Sequence, residues 1–427
     1  MKFKATQYDL MNVRTGRVFK DGEWTLSDPQ DETPSLVRAV YRQTKFSPRE
    51  NEKGLFRYAD WLPVKRVIKK SAAPVTYKSK GLANMLGMSN LYVTFSGFWP
   101  KIGAKFQTCS FKETEAYSVL GRLPKKTSKT LVVQSAGNTA KAFARVCSDN
   151  NIPVVICVPL DNITDLWFRK PVKSCVKVIA TPNGTDYYDA IRLGEKLCES
   201  PKYFLEGGAK NVARRDGMGT TLLSAAEFIG RIPDAYFQAV GSGTGAIAAW
   251  ENAERLAADG RFGKNNMRVC ACQNAPFTIM YDSWKARSRE LLPLDPEVSR
   301  HSSEVILASV LSNRKPPYSL SGGLFDVLEA SKGDMFKATN DQIVYWMLQF
   351  FNKEGIDILP AAACAVAGMS QALKEGVIGK DETVMLNITG GGILNAVKNG
   401  FVRKEADLVL SQDLDAGSII EAVDSLF

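Results

Sequence analysis

The chain has 427 residues, 45% apolar and 23% charged, an ordinary globular balance on a chain long enough to bury a full core without staples. Lys plus Arg is 55 against 45 Asp plus Glu, a net +10 with no run of five or six like charges, so no nucleic-acid tail is indicated. The single histidine, His301, excludes a His-rich zinc site and leaves proton transfers to lysine, carboxylates or a cofactor.

Residues 1–60 are polar and turn-rich, and are expected to form short strands, loops and one helix over 34–41. From residue 88 onward short apolar runs rich in Val and Ile alternate with helical patterns. Strands are expected over 91–95, 130–134, 154–158, 176–180, 203–205, 235–240, 269–273 and 383–388. Helices are expected over 138–148, 187–198, 219–229, 244–258 and 361–374, with 361–368 apolar enough for a subunit contact or core. The alternation argues for an α/β fold with parallel sheets. Residues 280–340, broken by Pro293, Pro296, Pro316, Pro317 and Gly322-Gly323, read as a loop-rich insertion over the site or at a subunit contact. No segment has the run of about 20 apolar residues that a membrane span needs. The eight cysteines form no C-x-x-C pair and sit mostly in apolar runs. No signal peptide opens the chain, so a reducing, cytoplasmic compartment is expected.

In open α/β sheets, ligands bind outside the carboxyl ends of strands, and four junctions suit that role. Ser110-Phe111-Lys112 places a lysine at a helix start, against the macrodipole; it is either an exposed lysine or an amine needed as nucleophile and base. Ser135-Ala136-Gly137-Asn138-Thr139 either caps the following helix or offers amides and hydroxyls to a carboxylate. Gly241-Ser242-Gly243-Thr244-Gly245 is a tight strand-to-helix turn that can also cradle a phosphate; it is neither a Walker loop nor a good Rossmann fingerprint. Thr389-Gly390-Gly391-Gly392 sets a hydroxyl beside three glycines, whose entropic cost favours close approach of a ligand. An amine, a phosphate cradle, an asparagine loop and a hydroxyl-bearing strand end are together what an aldehyde-phosphate cofactor requires.

In this order the motifs resemble the β-family (fold type II, tryptophan synthase β-like) of pyridoxal-phosphate enzymes, which includes threonine synthase and cysteine synthase. Gly54-Leu55-Phe56-Arg57-Tyr58-Ala59-Asp60 and Asn211-Val212-Ala213-Arg214-Arg215-Asp216-Gly217 are similar to threonine synthase segments. The resemblance implies two open, mostly parallel α/β domains with pyridoxal 5'-phosphate in the cleft between them. Residues 1–60 would be a ribbon-like extension without zinc ligands. Residues 61–125 and 215–427 would form the large cofactor domain, and 126–214 a small domain carrying the asparagine loop.

It further implies that Lys112 holds the cofactor as a Schiff base and that Gly241, Ser242, Gly243, Thr244 and Gly245 cradle its phosphate. Asn138 would bond the ring hydroxyl, and Thr389 would face the pyridine nitrogen. Substrate contacts would come from Ser135, Gly137 and Thr139, with Lys105 and Arg214 as cations for anionic groups. The stretch from Phe95-Ser96-Gly97-Phe98-Trp99-Pro100 to Ser110-Phe111-Lys112-Glu113 resembles the cysteate-forming members. It departs from the E-x-x-N-P-T-G-S-F-K-D-R run of threonine synthase. The implied reaction is a β-replacement that converts O-phospho-L-serine and sulfite to L-cysteate and phosphate, a step toward coenzyme M. The alternative is a threonine synthase or cysteine synthase type of replacement or elimination. Small anions are the expected partners, with neither nucleic acid nor membrane, and a homo-oligomer is implied.

Overall fold

The computed structural model describes residues 3–22, 24–124, 127–135 and 137–427. Ala136 of the asparagine loop and the expected domain boundary at 125/126 lie outside the described residues.

Two parallel sheets organise the chain. The larger has six strands in the order Asp334–Ala338, Arg268–Asn274, Ala235–Ala239, Thr383–Ile388, Asn90–Phe95 and Val75–Lys78. Only Val75–Lys78 runs antiparallel to its neighbour. The smaller has five strands in the order Tyr203–Leu205, Thr130–Gln134, Val154–Pro159, Val176–Thr181 and Leu408–Val409, all parallel. Val154–Pro159 and Thr383–Ile388 are buried at all six positions, which is why their apolar runs are continuous rather than alternating.

Helix Pro360–Lys374 packs its small side chains Ala361 to Ala365 against the larger sheet. The apolar stretch 361–368 is therefore core. Helices Val212–Ile229 and Thr244–Asp259 pack on the opposite face of that sheet. Helix Lys112–Arg122 puts Ala116, Val119 and Leu120 into one cluster with Val133, Phe143 and Val154 of the smaller sheet and its helix.

Residues 34–41 are not helical. Val37–Tyr41 is a strand paired antiparallel with Tyr8–Asn12, its Val37, Ala39 and Tyr41 buried in alternation. That period of two in a β-branched and aromatic segment prevails over a helix. The resulting three-stranded ribbon is tied to the body by Arg122, whose fully buried guanidinium donates to Asp21, Asn211 and the Thr25 carbonyl. Residues 408–427, expected with the large domain, add to the smaller sheet. Ile419 and Val423 bury against it beside Val132, Val155 and Ile179. Within 280–340 lie helices Pro296–Val305 and Leu324–Ser331 and the edge strand Asp334–Ala338.

Candidate active site

A cavity of about 830 Å³ lies where the carboxyl ends of both sheets meet. Its wall takes residues just past five strands: Ser135, Asp161, Gly184, Gly207 and Gly241. Thr389, one residue past Thr383–Ile388, completes the ring. Parallel strands leave their following loops on one edge, so the topology gathers these side chains from across the chain.

Lys112 opens the helix Lys112–Arg122 and lines the cavity, its side chain one-fifth exposed. The amine lies 3.2 Å from Glu115 Oε2, one helical turn on. Burial holds the amine below the ordinary lysine range; Glu115 and Glu206 oppose that shift, and Arg214 adds to it. Glu115 and Glu206 are themselves buried, and Arg214 joins them: its Nη1 is 3.6 Å from Glu115 and its Nε donates to Glu206 at 3.0 Å. Two carboxylates thus balance two cations. Arg214 and Lys112 hold the Glu115 carboxyl below its usual range despite burial, whereas burial raises that of Glu206.

The loop from Gly241 to Gly245 lies on the cavity wall, and Thr244 begins the 16-residue helix Thr244–Asp259. Gly243 has φ +76°, where an L side chain is strained. A Cβ on Gly241 would come within 3.0 Å of the Val310 and Leu311 backbone. A Cβ on Gly245 would sit 2.7 Å from the Gln238 amide. That amide is held by the Tyr236 hydroxyl and Asn387 beneath the loop. A bare-backbone turn at a long helix's N-terminus, beside a partly exposed amine, fits a phosphate-bearing aldehyde such as pyridoxal phosphate.

Ser135, Gly137, Asn138 and Thr139 all line the same cavity, and the Ser135 hydroxyl accepts from Gly137 N–H at 3.2 Å. Thr389 lines it too, its carbonyl accepting from Phe111 N–H at 2.8 Å, which fixes the strand end against the Lys112 turn. Glycines 390–392 serve a different purpose from the one expected. Added Cβ atoms would strike Cys109 O at 2.7 Å, Asp357 O at 2.3 Å and Phe98 O at 2.1 Å, so these glycines let backbone approach backbone, not ligand.

Two expected cations need correction. Lys105 is exposed on the short strand Ala104–Lys105, paired with Phe98–Trp99, and does not line the cavity. The tight hairpin turns it outward, although only four residues separate it from Ser110. Arg214 does line the cavity, but Glu115 and Glu206 already engage its charge. The exposed cations on the wall are instead Lys210, Arg300 and Lys315, none with a carboxylate partner among the described residues; the half-buried Arg314 pairs with Asp186 at 3.2 Å. Glu206-Gly207-Gly208 follows a strand directly, so the strand-end rule that marked the other junctions would have found it. Arg300 sits within helix Pro296–Val305 and Lys315 in the irregular stretch after it, and neither follows a strand, so neither carries that signal.

The family described as "Pyridoxal-phosphate dependent enzyme" matches residues 95–390, and the chain belongs to it. Among curated relatives, the cysteate synthase of Methanocella paludicola is 47% identical over 361 residues, 84% of each chain. That of Methanoculleus marisnigri is 46% identical over 385 residues, 90% of this chain and 88% of the relative. The processed form of threonine deaminase isoform 2 from Solanum lycopersicum superposes with a TM-score of 0.56 at 18% identity, covering 86% of this chain and 97% of that one, a likeness of fold. Fold type II architecture and dependence on pyridoxal phosphate, both expected from the motifs, therefore hold.

Proposed function

We propose that this chain catalyses β-replacement on O-phospho-L-serine by sulfite, giving L-cysteate and phosphate. One observation carries the reading. In a chain 47% identical to a cysteate synthase, the Lys112 amine and the Gly241–Gly245 turn line a single cavity. Pyridoxal phosphate, when bound, supplies an electron sink for charge developing on the substrate's α carbon.

The protein's own groups do the rest. Lys112 would bond the cofactor's aldehyde and, once freed, take the α proton. Amides of residues 241–245 would hold the phosphate, with the Ser242 and Thr244 hydroxyls, 2.8 Å apart, as further donors. Asn138 would meet the ring hydroxyl. Thr389, a neutral hydroxyl at the ring nitrogen, would leave that nitrogen unprotonated and favour elimination over transamination. Ser135, Gly137 and Thr139 would take the substrate carboxylate. Lys210, Arg300 and Lys315 would draw in the two anionic reactants, a role the net charge of +10 supports.

Among the described residues no helix is long and apolar enough to cross a membrane. We place the enzyme in the cytoplasm on its eight free cysteines and read it as a homo-oligomer. Val344, Tyr345, Leu348 and Phe351, exposed on helix Asn340–Glu354, offer the apolar face for that contact.

The test is direct. Purified protein should be yellow, and borohydride should fix the cofactor on the Lys112 peptide. Mixing with phosphoserine and sulfite should yield cysteate by mass spectrometry, and Lys112→Ala should lose both colour and product. Product from phosphohomoserine and water, with none from phosphoserine and sulfite, would overturn the substrate reading.

A further inference from the structure

Glu115 does not line the cavity, yet it is fully buried three residues after Lys112. Its Oε2 lies 3.2 Å from the Lys112 amine and 3.6 Å from Arg214 Nη1, and the Thr139 hydroxyl also favours its charged form. A buried carboxylate is costly to keep unless its charge is engaged, and the Lys112 amine is the nearest cation to it. The other charges near Lys112 are Arg214 from helix Val212–Ile229 and Glu206 from the loop after Tyr203–Leu205. Tyr187 faces the same cluster from helix Tyr187–Leu197. Glu113, next to Lys112 in sequence, is turned away and accepts from Thr108 and Tyr117.

We propose that Glu115 is a positioning residue for Lys112: its Oε2 orients the free amine and holds the ammonium formed when that amine takes the substrate's α proton. In that step the Cα–H bond breaks, its electron pair stays with the substrate carbon, and a new N–H bond forms on Lys112. The inference rests on the reading of Lys112 as the α-proton acceptor. Glu206 acts at one remove, because it engages the Arg214 charge that would otherwise repel the ammonium. The arrangement offsets desolvation, which alone would leave Lys112 a poor proton acceptor.

The test uses the full chain stripped of cofactor. Pulses of acetic anhydride at a series of pH values, read by mass spectrometry of the Lys112 peptide, give the midpoint at which the amine becomes reactive. Glu115→Gln keeps the shape and removes the charge, and should move that midpoint to lower pH by about one unit or more. Glu206→Gln should move it the same way by less, and Glu115→Asp should lie between wild type and Glu115→Gln. A Glu115→Gln midpoint within about 0.3 units of wild type overturns the proposal; the ±1-unit scale of such interactions sets that margin. Should Glu115→Gln fail to fold, an unmoved Glu206→Gln midpoint overturns it equally. Borohydride trapping on wild-type holoenzyme is a separate readout: failure there removes the functional reading and leaves the midpoint result standing.

Discussion

Glu113 predicts an unusual pH dependence of stability. Its side chain is fully buried, with Thr108 Oγ1 donating to it at 2.8 Å and the Tyr117 hydroxyl at 2.8 Å. Burial nonetheless dominates and pushes the carboxyl from 4.5 up to about 7. The folded protein therefore keeps a proton that the unfolded chain releases between these values. In that window the unfolded state binds fewer protons, so stability falls as pH rises from about 4.5 to about 7, then levels off. A gap of about 2.5 pH units at about 1.4 kcal/mol each amounts to about 3–4 kcal/mol, most of it between pH 5 and pH 8. Glu113→Gln preserves the shape and an acceptor toward Thr108, but has no proton to lose. The measurement is denaturant unfolding of wild type and variant at pH 5 and pH 8. The stability of the variant relative to wild type should rise by about 3 kcal/mol between the two, because the difference cancels every other titrating group. A relative stability constant to within about 1 kcal/mol across that range would refute the reasoning, and would mean that the donors from Thr108 and Tyr117 offset desolvation in full.

Further outcomes follow from other positions. Gly243→Ala forces an L side chain to φ +76° and should weaken cofactor binding about tenfold by equilibrium dialysis, since about 1–2 kcal/mol of strain falls on the turn. Arg122→Ala strips the buried Asp21 of its ion pair and should destabilise the chain by about 3–5 kcal/mol in denaturant unfolding, with proteolysis entering the N-terminal ribbon first. Lys141 is buried with its amine 3.0 Å over the Trp167 ring and its proton affinity pushed down to about 7. A folded value below the unfolded one makes stability rise with pH from about 7 to about 10.5. Lys141→Met should flatten that rise and lift the thermal midpoint at pH 7 by about 4 °C.

Much of the fold was legible because buried parallel strands leave a plain trace. Val154-Val155-Ile156-Cys157-Val158 has no polar residue, and the eight apolar runs expected as strands all lie in the two sheets. Edges were harder. Val75-Thr76-Tyr77-Lys78 is half polar because one neighbour is missing, and Leu408-Val409 is too short to show a period. At the site, sequence order exposed the residues that follow strands directly, namely Ser135 to Thr139, Gly241 to Gly245 and Thr389, and all but Ala136 (not described) line one cavity. It hid whatever depends on which way a side chain turns. Lys105 is close in sequence and points elsewhere, while Glu115 reads as an ordinary helical carboxylate until the Lys112 amine is seen 3.2 Å away.

The smaller sheet receives its outermost strand, Leu408–Val409, from more than two hundred residues beyond the other four. During synthesis the edge at Val176–Thr181 thus stays open until Leu408–Val409 has emerged. A nascent chain halted between Thr389 and Asp407 would hold every cavity residue named above, yet leave Val178 without the Asp407 carboxylate that accepts from its N–H at 2.7 Å. Such a product would present an unpaired strand to its neighbours, and truncation near the end should surface as aggregation before it surfaces as lost chemistry.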